Sequence, residues 1–409
     1  MASVPRAQPA LQPTNLAPLT QLFAYTQSLG LEHWLARPKR GVSTLVLSLL
    51  WLTLAWRSSG RPYHLRLLHE PLLTALLGRN RLPSAETLRR SLASFPAQAL
   101  RHAVEAAYLA ELPRREGRVW AALDAHQLPY WGRGHKERLS RGWSGSHSRA
   151  LRGYRLYLAV DTATGQIITF MLLRGNTRDH QVTAVLARRV RALLGRRLAG
   201  VVADCGFTSH IAVAALLAAR IPFILGFARS APIRARLAAL TGAQRRWLRE
   251  AGAIRLGYCS WDARLQLLAL AAREPTDQRG PWVYVTSIQG LSPGRLIRLY
   301  RQRWRVEQVI DELIHGHDLD HLVSTRLHPN QVAVGFRLLA RNLAIGLQLR
   351  TADGRPAVIR EPLACRAVQV EGLATFQQWR HTIYLWPLQP PLTRHFRLPW
   401  VRRVVRLVA

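Results

Sequence analysis

Three carboxylates in the sequence stand directly after apolar runs of the kind that form buried strands. Asp124 follows RVWAAL, Asp161 follows YRLYLAV and Asp204 follows AGVVA. A carboxylate at the carboxyl end of a strand points into the crevice where open α/β sheets place their chemistry. Asp161 precedes Thr-Ala-Thr-Gly, which is ordinary turn chemistry, so it is interpreted as a turn residue. Asp124 and Asp204 are therefore the two candidate catalytic acids, although a turn or helix-cap role stays open for Asp204.

A further acid, Glu307, lies within the segment LYRQRWRVEQVIDELIH, which is predicted to belong to one long helix that begins at Pro293. In such a helix Tyr300, Arg303 and Glu307 share one face. There the arginine can bind a phosphate, the tyrosine can hydrogen-bond or stack, and the glutamate can bind a metal ion. Asp311 lies one turn further on and is a rival ligand. The alternative is a surface helix in which Arg303 and Glu307 form an ordinary ion pair.

The charge balance of the chain favours a polyanionic partner. Its 409 residues include 58 Lys+Arg and 23 Asp+Glu, which gives a net charge of +35. A charge of this size makes the folded state repel itself unless a polyanion binds. Nucleic acid is the simplest partner, and an anionic membrane surface is the alternative. The hydrophobic fraction of 48% excludes a wholly disordered basic chain.

Cysteine content and hydropathy indicate a protein of the reducing cytosol. The three cysteines are too few and too scattered for a disulfide framework or a zinc site. The most apolar run, residues 43–56, has 14 residues, whereas a bilayer requires about 20. We therefore expect no membrane segment. The proline-containing residues 1–14 predict a flexible arm and not a secretory signal.

The order of periodic segments predicts the domain organisation. Residues 15–112 show helical spacing throughout and predict a helical DNA-binding domain. Residues 113–350 begin with three strands, of which the second and third form a hairpin through TATG, and continue with helix, strand, helix and strand. This order predicts an α/β domain with a mixed sheet covered by helices. Residues 228–292 predict a β-rich insertion within it, and residues 351–409 a basic C-terminal region.

Two arginines of the helical domain are candidate DNA contacts. Ser84 predicts the N-cap of a helix, and Arg89 and Arg90 lie away from the apolar face of that helix. The helix belongs to a helix-turn-helix or to an ordinary bundle with a solvated basic face.

A glycine-rich basic stretch follows the first catalytic strand. Glycines let a loop approach a phosphate backbone closely, and a solvated loop is the alternative. Trp131 and Trp143 in this stretch can stack on an unpaired base, although packing is an equal alternative. The candidate DNA contacts of the stretch are Arg133, Lys136, Arg138 and Arg141.

These motifs carry a resemblance to a known family. The segment YRQRWRVE, residues 300–307, resembles the Y-R-E-K signature of bacterial cut-and-paste insertion-sequence transposases. The motifs around Asp124 and Asp204 resemble the first two acids of that DDE family, and the similarity covers roughly residues 120–350. One member of the signature is absent, because Ile314 stands where the family has a Lys. The phosphate contact of that Lys is therefore either lost or supplied by a neighbour such as His315.

The resemblance implies an RNase H-like fold with Asp124 on the first strand, Asp204 on the fourth and Glu307 on the helix that closes the site. Glu307 lies 103 positions after Asp204, which leaves room for the β-rich insertion that such transposases place there. Three carboxylates from separate elements can hold two Mg²⁺ ions, with Mn²⁺ as a substitute. Two such ions activate the attacking oxygen and stabilise the leaving oxygen of a phosphoryl displacement.

The function implied by the resemblance is DNA transposition. The chain would cleave DNA at transposon ends and join these ends to target DNA, with double-stranded DNA as its partner. We expect a homodimer on DNA, no membrane partner, no small-molecule cofactor, and a cytoplasmic, nucleoid-associated location in bacteria. A non-catalytic DNA-binding protein derived from this scaffold, favoured by Ile314, and a metal-dependent DNA nuclease are the alternatives.

Overall fold

The computed structural model describes residues 12–14, 17–31, 35, 43–57, 61–68, 71–77, 79–132, 139–145, 147–251, 253–262, 264–270, 281–351, 374–379, 382–386, 395–398 and 403–407. The predicted DNA contacts Arg133, Lys136 and Arg138 lie outside the described residues. The helices described are α1 (Ala17–Ser28), α2 (Thr44–Trp56), α3 (Pro71–Leu76), α4 (Ala85–Ser91), α5 (Ala97–Leu109), α6 (Asp179–Leu194), α7 (His210–Ala218), α8 (Ala231–Ala238), α9 (Gly242–Ala251), α10 (Pro293–Arg301), α11 (Trp304–His317) and α12 (Leu327–Thr351). The strands described are β1 (Gln12–Thr14), β2 (Val119–Pro129), β3 (Ser140–Ser144), β4 (Arg149–Asp161), β5 (Ile167–Arg174), β6 (Leu198–Ala203), β7 (Phe223–Phe227), β8 (Ala253–Tyr258), β9 (Gln266–Leu270), β10 (Trp282–Thr286), β11 (Ala374–Trp379), β12 (Thr382–Trp386), β13 (His395–Leu398) and β14 (Arg403–Leu407).

The chain divides into two compact units. The sheet unit is Arg115–Asp311, and the helical unit combines Met1–Arg114 with Glu312–Ala409. Residues 312–350 fall within the helical unit in this division. The predicted domain limits stay predictions.

The sheet unit is built on one mixed sheet. Its strand order is β3-β4-β2-β6-β7-β10-β9-β8. β5 also pairs with β4, along residues 154–160, next to residues 149–153 that pair with β3. β2, β4 and β5 are antiparallel neighbours, whereas β2, β6 and β7 run parallel. The parallel strands β6 and β7 are apolar and almost wholly buried, as expected of strands covered on both faces. Helix α6 packs on β2, β4, β5 and β6, and α10 packs on β6, β7 and β8. The expected RNase H-like mixed sheet flanked by helices is confirmed.

The hairpin between β4 and β5 closes as the sequence predicts. Asp161 Oδ1 accepts a hydrogen bond from Ala163 N at 2.9 Å, and Gly165 turns the chain with a φ of +73°. Asp161 also forms a buried ion pair with Arg115. Its interpretation as a turn residue is confirmed.

The insertion extends the same sheet. Residues 228–292 contain α8 and α9 as well as β8, β9 and β10. β10 pairs antiparallel with β7, and β9 and β8 follow it outward. The β-rich insertion therefore continues the catalytic sheet beyond its last parallel strand.

The prediction of a single long helix from Pro293 is wrong, because two helices occupy this segment. Helix α10 ends at Arg301 and α11 begins at Trp304, with Gln302 and Arg303 in a turn between them. Thr162 and Gln302 hydrogen-bond through their side chains at 3.0 Å, and Arg305 donates to Thr164 O at 3.4 Å. The β4–β5 hairpin therefore contacts the chain on both sides of Arg303.

The helical unit is organised around α12, which packs against α1, α2 and α5. Trp56 Nε1 donates to Ala340 O at 2.8 Å, and Trp51 stacks on Phe336. Leu327–Arg350 is long and apolar enough to cross a membrane, but 83% of its most apolar stretch of 18 residues is buried inside the protein. Ser84 caps α4 through a hydrogen bond from Thr87 N, as predicted.

The helical unit also contains a second sheet. Its strand order is β1-β11-β12-β14-β13, so a strand from the N-terminal part of the chain pairs with strands from the C-terminal part.

Candidate active site

Asp124 and Asp204 lie side by side because their strands are parallel neighbours. In the register of β2 and β6, Leu123 is paired with Ala203, so the next residue of each chain segment is one of the two acids. Asp204 follows β6 directly and its Oδ1 accepts a hydrogen bond from Gly206 N at 3.0 Å. The turn role that the sequence left open for Asp204 therefore coexists with its place at the carboxyl end of the strand.

The two aspartates are electrostatically coupled. Burial, together with the charge of Asp204, raises the pKa of Asp124 to about 7, although the charge of Arg303 opposes the shift. Burial also raises the pKa of Asp204, where Arg303 again opposes the shift and Asp179 adds to it. Two neighbouring carboxylates in a poorly solvated crevice favour the binding of a cation.

Arg303 lies among the acids. Its Nη1 is 3.5 Å from Asp124 Oδ2, and its Nη2 forms an ion pair with Glu307. Its guanidinium lies 5.8 Å from the centre of the Tyr300 ring. Burial opposes the charge of Arg303, but Tyr300, Asp124 and Glu307 together hold its pKa above the ordinary value. Arg303 is thus a charged group in contact with acids from both sides of the crevice.

Tyr300, Arg303 and Glu307 converge although the helix they were expected to share is broken. The turn at 302–303 replaces the helical face as the reason for their proximity. Glu307, in the first turn of α11, is the acid that contacts Arg303, whereas Asp311 is exposed. The ion pair that the sequence offered as an alternative does exist, and it extends to Asp124.

The donor set fits a hard divalent cation. Asp124, Asp204 and Glu307 offer only carboxylate oxygens, which Mg²⁺ and Mn²⁺ prefer. As the side chains stand, no group of three His, Cys, Asp or Glu among the described residues is spaced to hold an ion. Arg303 instead provides the positive charge between the acids. Metal binding at these three residues would therefore require their carboxylates to come closer together.

Sequence reasoning missed two residues beside the site, Asp179 and Arg155. Arg155 binds Asp179 through two hydrogen bonds of 2.7 and 2.8 Å. A Cβ on Gly206 would lie 2.9 Å from Asp179 Oδ2 and 3.3 Å from Asp204 Oδ1. Asp in the first turn of a helix is common, so nothing in the sequence distinguishes Asp179 from a residue that only stabilises α6.

The remaining predicted DNA contacts lie on surfaces. Arg89 and Arg90 are exposed on α4, where both bind Glu86, and they belong to the helical unit. Arg141 is exposed on β3 in the sheet unit, and Trp143 lies two residues further along the same strand. Trp131 and Trp143 are 60% and 61% exposed, so neither is a core residue.

Comparison with known proteins identifies the family. The family described as "Transposase DDE domain" matches residues 118–343, more than half of the chain. The chain belongs to this family. The DDE transposase expected from the motifs is therefore confirmed, and membership makes the chain an enzyme of polynucleotidyl transfer.

Other comparisons are more distant. None of the curated proteins matches the chain. Among solved structures, the cryo-EM structure of the piggyBac transposase synaptic complex with hairpin DNA matches with a TM-score of 0.46 and 12% identity, over 88% of this chain and 82% of that one.

One position of this DDE transposase departs from the expected signature. Ile314 lies in α11 seven residues after Glu307, where the signature has a Lys. The neighbouring His315 is exposed.

Proposed function

We propose that this DDE transposase cleaves DNA at transposon ends and joins the ends to target DNA, with Asp124, Asp204 and Glu307 as its catalytic carboxylates. The observation that carries the proposal is the convergence of these acids around Arg303. Asp124 lies within β2 and Asp204 directly follows the parallel neighbour β6, and Arg303 contacts both Asp124 and Glu307. The three acids come from three separate elements spread over most of the sheet unit.

The three carboxylates would hold Mg²⁺ or Mn²⁺ ions. Such ions activate the attacking oxygen and stabilise the leaving oxygen of a phosphoryl displacement. Arg303 would bind a phosphate oxygen pair with its planar guanidinium. Tyr300, which lies against Arg303, would orient it.

DNA is the partner that the charge of the chain favours. The net charge of +35 suits a protein that holds two transposon ends and a target together. We assign end recognition to the helical unit, including Arg89 and Arg90, and sequence-independent contact to the basic stretch that includes Arg141. A homodimer on DNA and a nucleoid-associated location in the bacterial cytoplasm complete the proposal.

The deciding experiment incubates the full chain with Mg²⁺ and a DNA that bears the ends of its own element, and resolves the products on a denaturing gel. We expect cleavage at the ends and joined products. Cleavage without joining would identify a nuclease, and binding without any cleavage would identify a non-catalytic DNA-binding protein.

Two matched substitutions on α11 test the third carboxylate. Glu307→Gln removes a charge at the site, and it should abolish cleavage while DNA binding stays equal or becomes tighter. Asp311→Asn removes the same charge from an exposed position one turn away, and it should leave cleavage intact. The opposite pattern would make Asp311 the third carboxylate.

A further inference from the structure

Arg155 and Asp179 form a bidentate ion pair beside the proposed site. Arg155 projects from β4 and Asp179 from the first turn of α6, with donor–acceptor distances of 2.7 and 2.8 Å. Their side chains are 14% and 16% exposed. Partly buried ion pairs of this kind add little net stability, because desolvation offsets their attraction. Their main effect is to fix geometry.

The fixed geometry is that of the turn after Asp204. Gly206 lies between the two carboxylates, so near to both that a Cβ would come within 2.9 Å of Asp179 Oδ2 and 3.3 Å of Asp204 Oδ1. Gly206 N donates to Asp204 Oδ1 at 3.0 Å. Helix α6 also holds this turn through Thr183 Oγ1, which donates to Phe207 O at 2.7 Å. The turn that carries the Asp204 carboxylate is thus hydrogen-bonded to α6 through Thr183 and lies close against Asp179.

The same arginine reaches the strand on the other side. Arg155 Nη1 donates to Trp143 O in β3 at 2.9 Å. β3 is an edge strand that exposes Trp143 and Arg141. One side chain therefore bridges the helix that supports Asp204 and the exposed strand that carries the proposed DNA contacts.

We infer that Arg155 and Asp179 are a positioning pair, which fixes the turn that carries Asp204 and joins this turn to the exposed strand β3. The inference rests on the proposed function for its catalytic consequence. Neither residue touches the reacting atoms. Asp179 acts on Asp204 through the backbone of Gly206, and Arg155 acts through Asp179.

Hydrogen exchange measures the positioning without reference to catalysis. Asp179→Asn weakens the pair, and we expect the amides of residues 205–208 and of Ser140–Ser144 to exchange at least about fivefold faster through local opening. The amides of β9, which lies three strands from β6 in the sheet, should keep their rates. Asp262→Asn is the matched control, because Asp262 also binds an arginine, Arg264, through two hydrogen bonds, but at an exposed place. It should change neither segment.

Cleavage and binding assays test the consequence. Misplacement of Asp204 should slow DNA cleavage by Asp179→Asn roughly tenfold to a hundredfold. Affinity for the same DNA should stay within about twofold, because no phosphate contact is lost. Arg155→Lys keeps the charge and can bind one carboxylate oxygen, so its effect on exchange and cleavage should have the same direction and a smaller size. This second variant decides the matter if Asp179→Asn does not fold.

Several outcomes overturn the inference. Unchanged exchange at residues 205–208 in both variants would show that the pair does not hold the turn. A loss of cleavage that only follows a loss of DNA affinity would show that the pair acts on DNA binding. If the wild-type chain cleaves no DNA, the proposed function fails, while the exchange experiment still decides whether the pair positions the turn.

Discussion

Arg303 contacts two carboxylates of the candidate site and is also the residue proposed to bind a DNA phosphate. It contacts Asp124 and Glu307 and lies against Tyr300. As a cation among carboxylates, it stabilises their charges in the metal-free chain. Its planar guanidinium can also donate hydrogen bonds to two oxygens of a DNA phosphate. With Ile314 in place of the signature Lys, we expect Arg303 to carry more of the phosphate contact.

Arg303→Lys tests this role. Lys keeps the positive charge but cannot bind two phosphate oxygens through a planar fork. We expect DNA affinity to change little and single-turnover cleavage to slow at least about tenfold, which corresponds to about 1.4 kcal/mol of barrier. Arg301→Lys, at the exposed end of α10, is the control. A wild-type cleavage rate in Arg303→Lys would reduce Arg303 to an ion-pair partner of Glu307.

At this scale the sequence indicated most of the candidate site. Asp124 and Asp204 stand out because an acid after an apolar run is rare in a chain with 23 acids. For Asp124 the expected strand end is wrong, because β2 continues to Pro129. Asp179 does not stand out, because an acid in the first turn of a helix is common. Its proximity to Gly206 depends on how α6 packs on the sheet, which is a tertiary property.

Among the elements, the break between α10 and α11 is the main difference from the structure expected from the sequence. Residues 300–307 contain neither glycine nor proline, so local propensity favours a continuous helix there. The contacts of Gln302 and Arg305 with the β4–β5 hairpin accompany the break. The strands, by contrast, were predictable, because their apolar runs are bounded by turn residues such as TATG.

Gly165 provides a test of the contact between hairpin and helix. Its φ is +73°, and a Cβ there would lie 2.7 Å from Arg305 Nε. Gly117 has a similar φ of +79°, but a Cβ there would meet nothing within 4 Å. Alanine at Gly117 should cost only the backbone strain, about 1 kcal/mol of unfolding free energy. Alanine at Gly165 should cost clearly more, because Arg305 must also move. Urea denaturation of both variants measures the difference, and equal losses would contradict the contact.

His317, at the end of α11, predicts acid sensitivity of the helical unit. Its Nδ1 donates to Ala55 O at 3.0 Å. Burial lowers the pKa of His317 to about 3, and the charge of Arg341 adds to the effect. Because the folded pKa lies below the unfolded value of about 6.5, stability is complete above that pH. The stability that His317 contributes should fall by about 1.4 kcal/mol per pH unit below it.

Urea denaturation at pH 7.5, 6.5 and 5.5 checks this slope. His317→Gln should be less stable at pH 7.5 but should lose less stability on acidification. His315→Gln, two residues earlier and exposed, should keep the wild-type slope. The same slope in all three proteins would exclude His317 as the source.

For the whole molecule, the excess of 35 positive charges governs how DNA is bound. Each neutralised phosphate releases counterions, so affinity should fall with salt at a slope of about −0.9 per contact. With six to ten contacts, affinity for any duplex should fall roughly 10³- to 10⁵-fold between 50 and 200 mM salt. Fluorescence anisotropy with a random duplex and with the element's ends measures both slopes.

The double variant Arg89→Ala/Arg90→Ala should lose the preference for the ends. A preference that survives intact would remove these arginines from end recognition.

The helical unit is assembled from two stretches of chain with the whole sheet unit between them. This arrangement has a consequence during protein synthesis. Helix α2 is buried along nearly its whole length, and its partner α12 begins only at Leu327. At about 5–20 residues per second, the ribosome needs on the order of 15–50 s to add the roughly 270 residues between them. During that interval the part of the α2 surface that packs on α12 faces water or a chaperone, while the sheet unit, already complete in the nascent chain, can fold first.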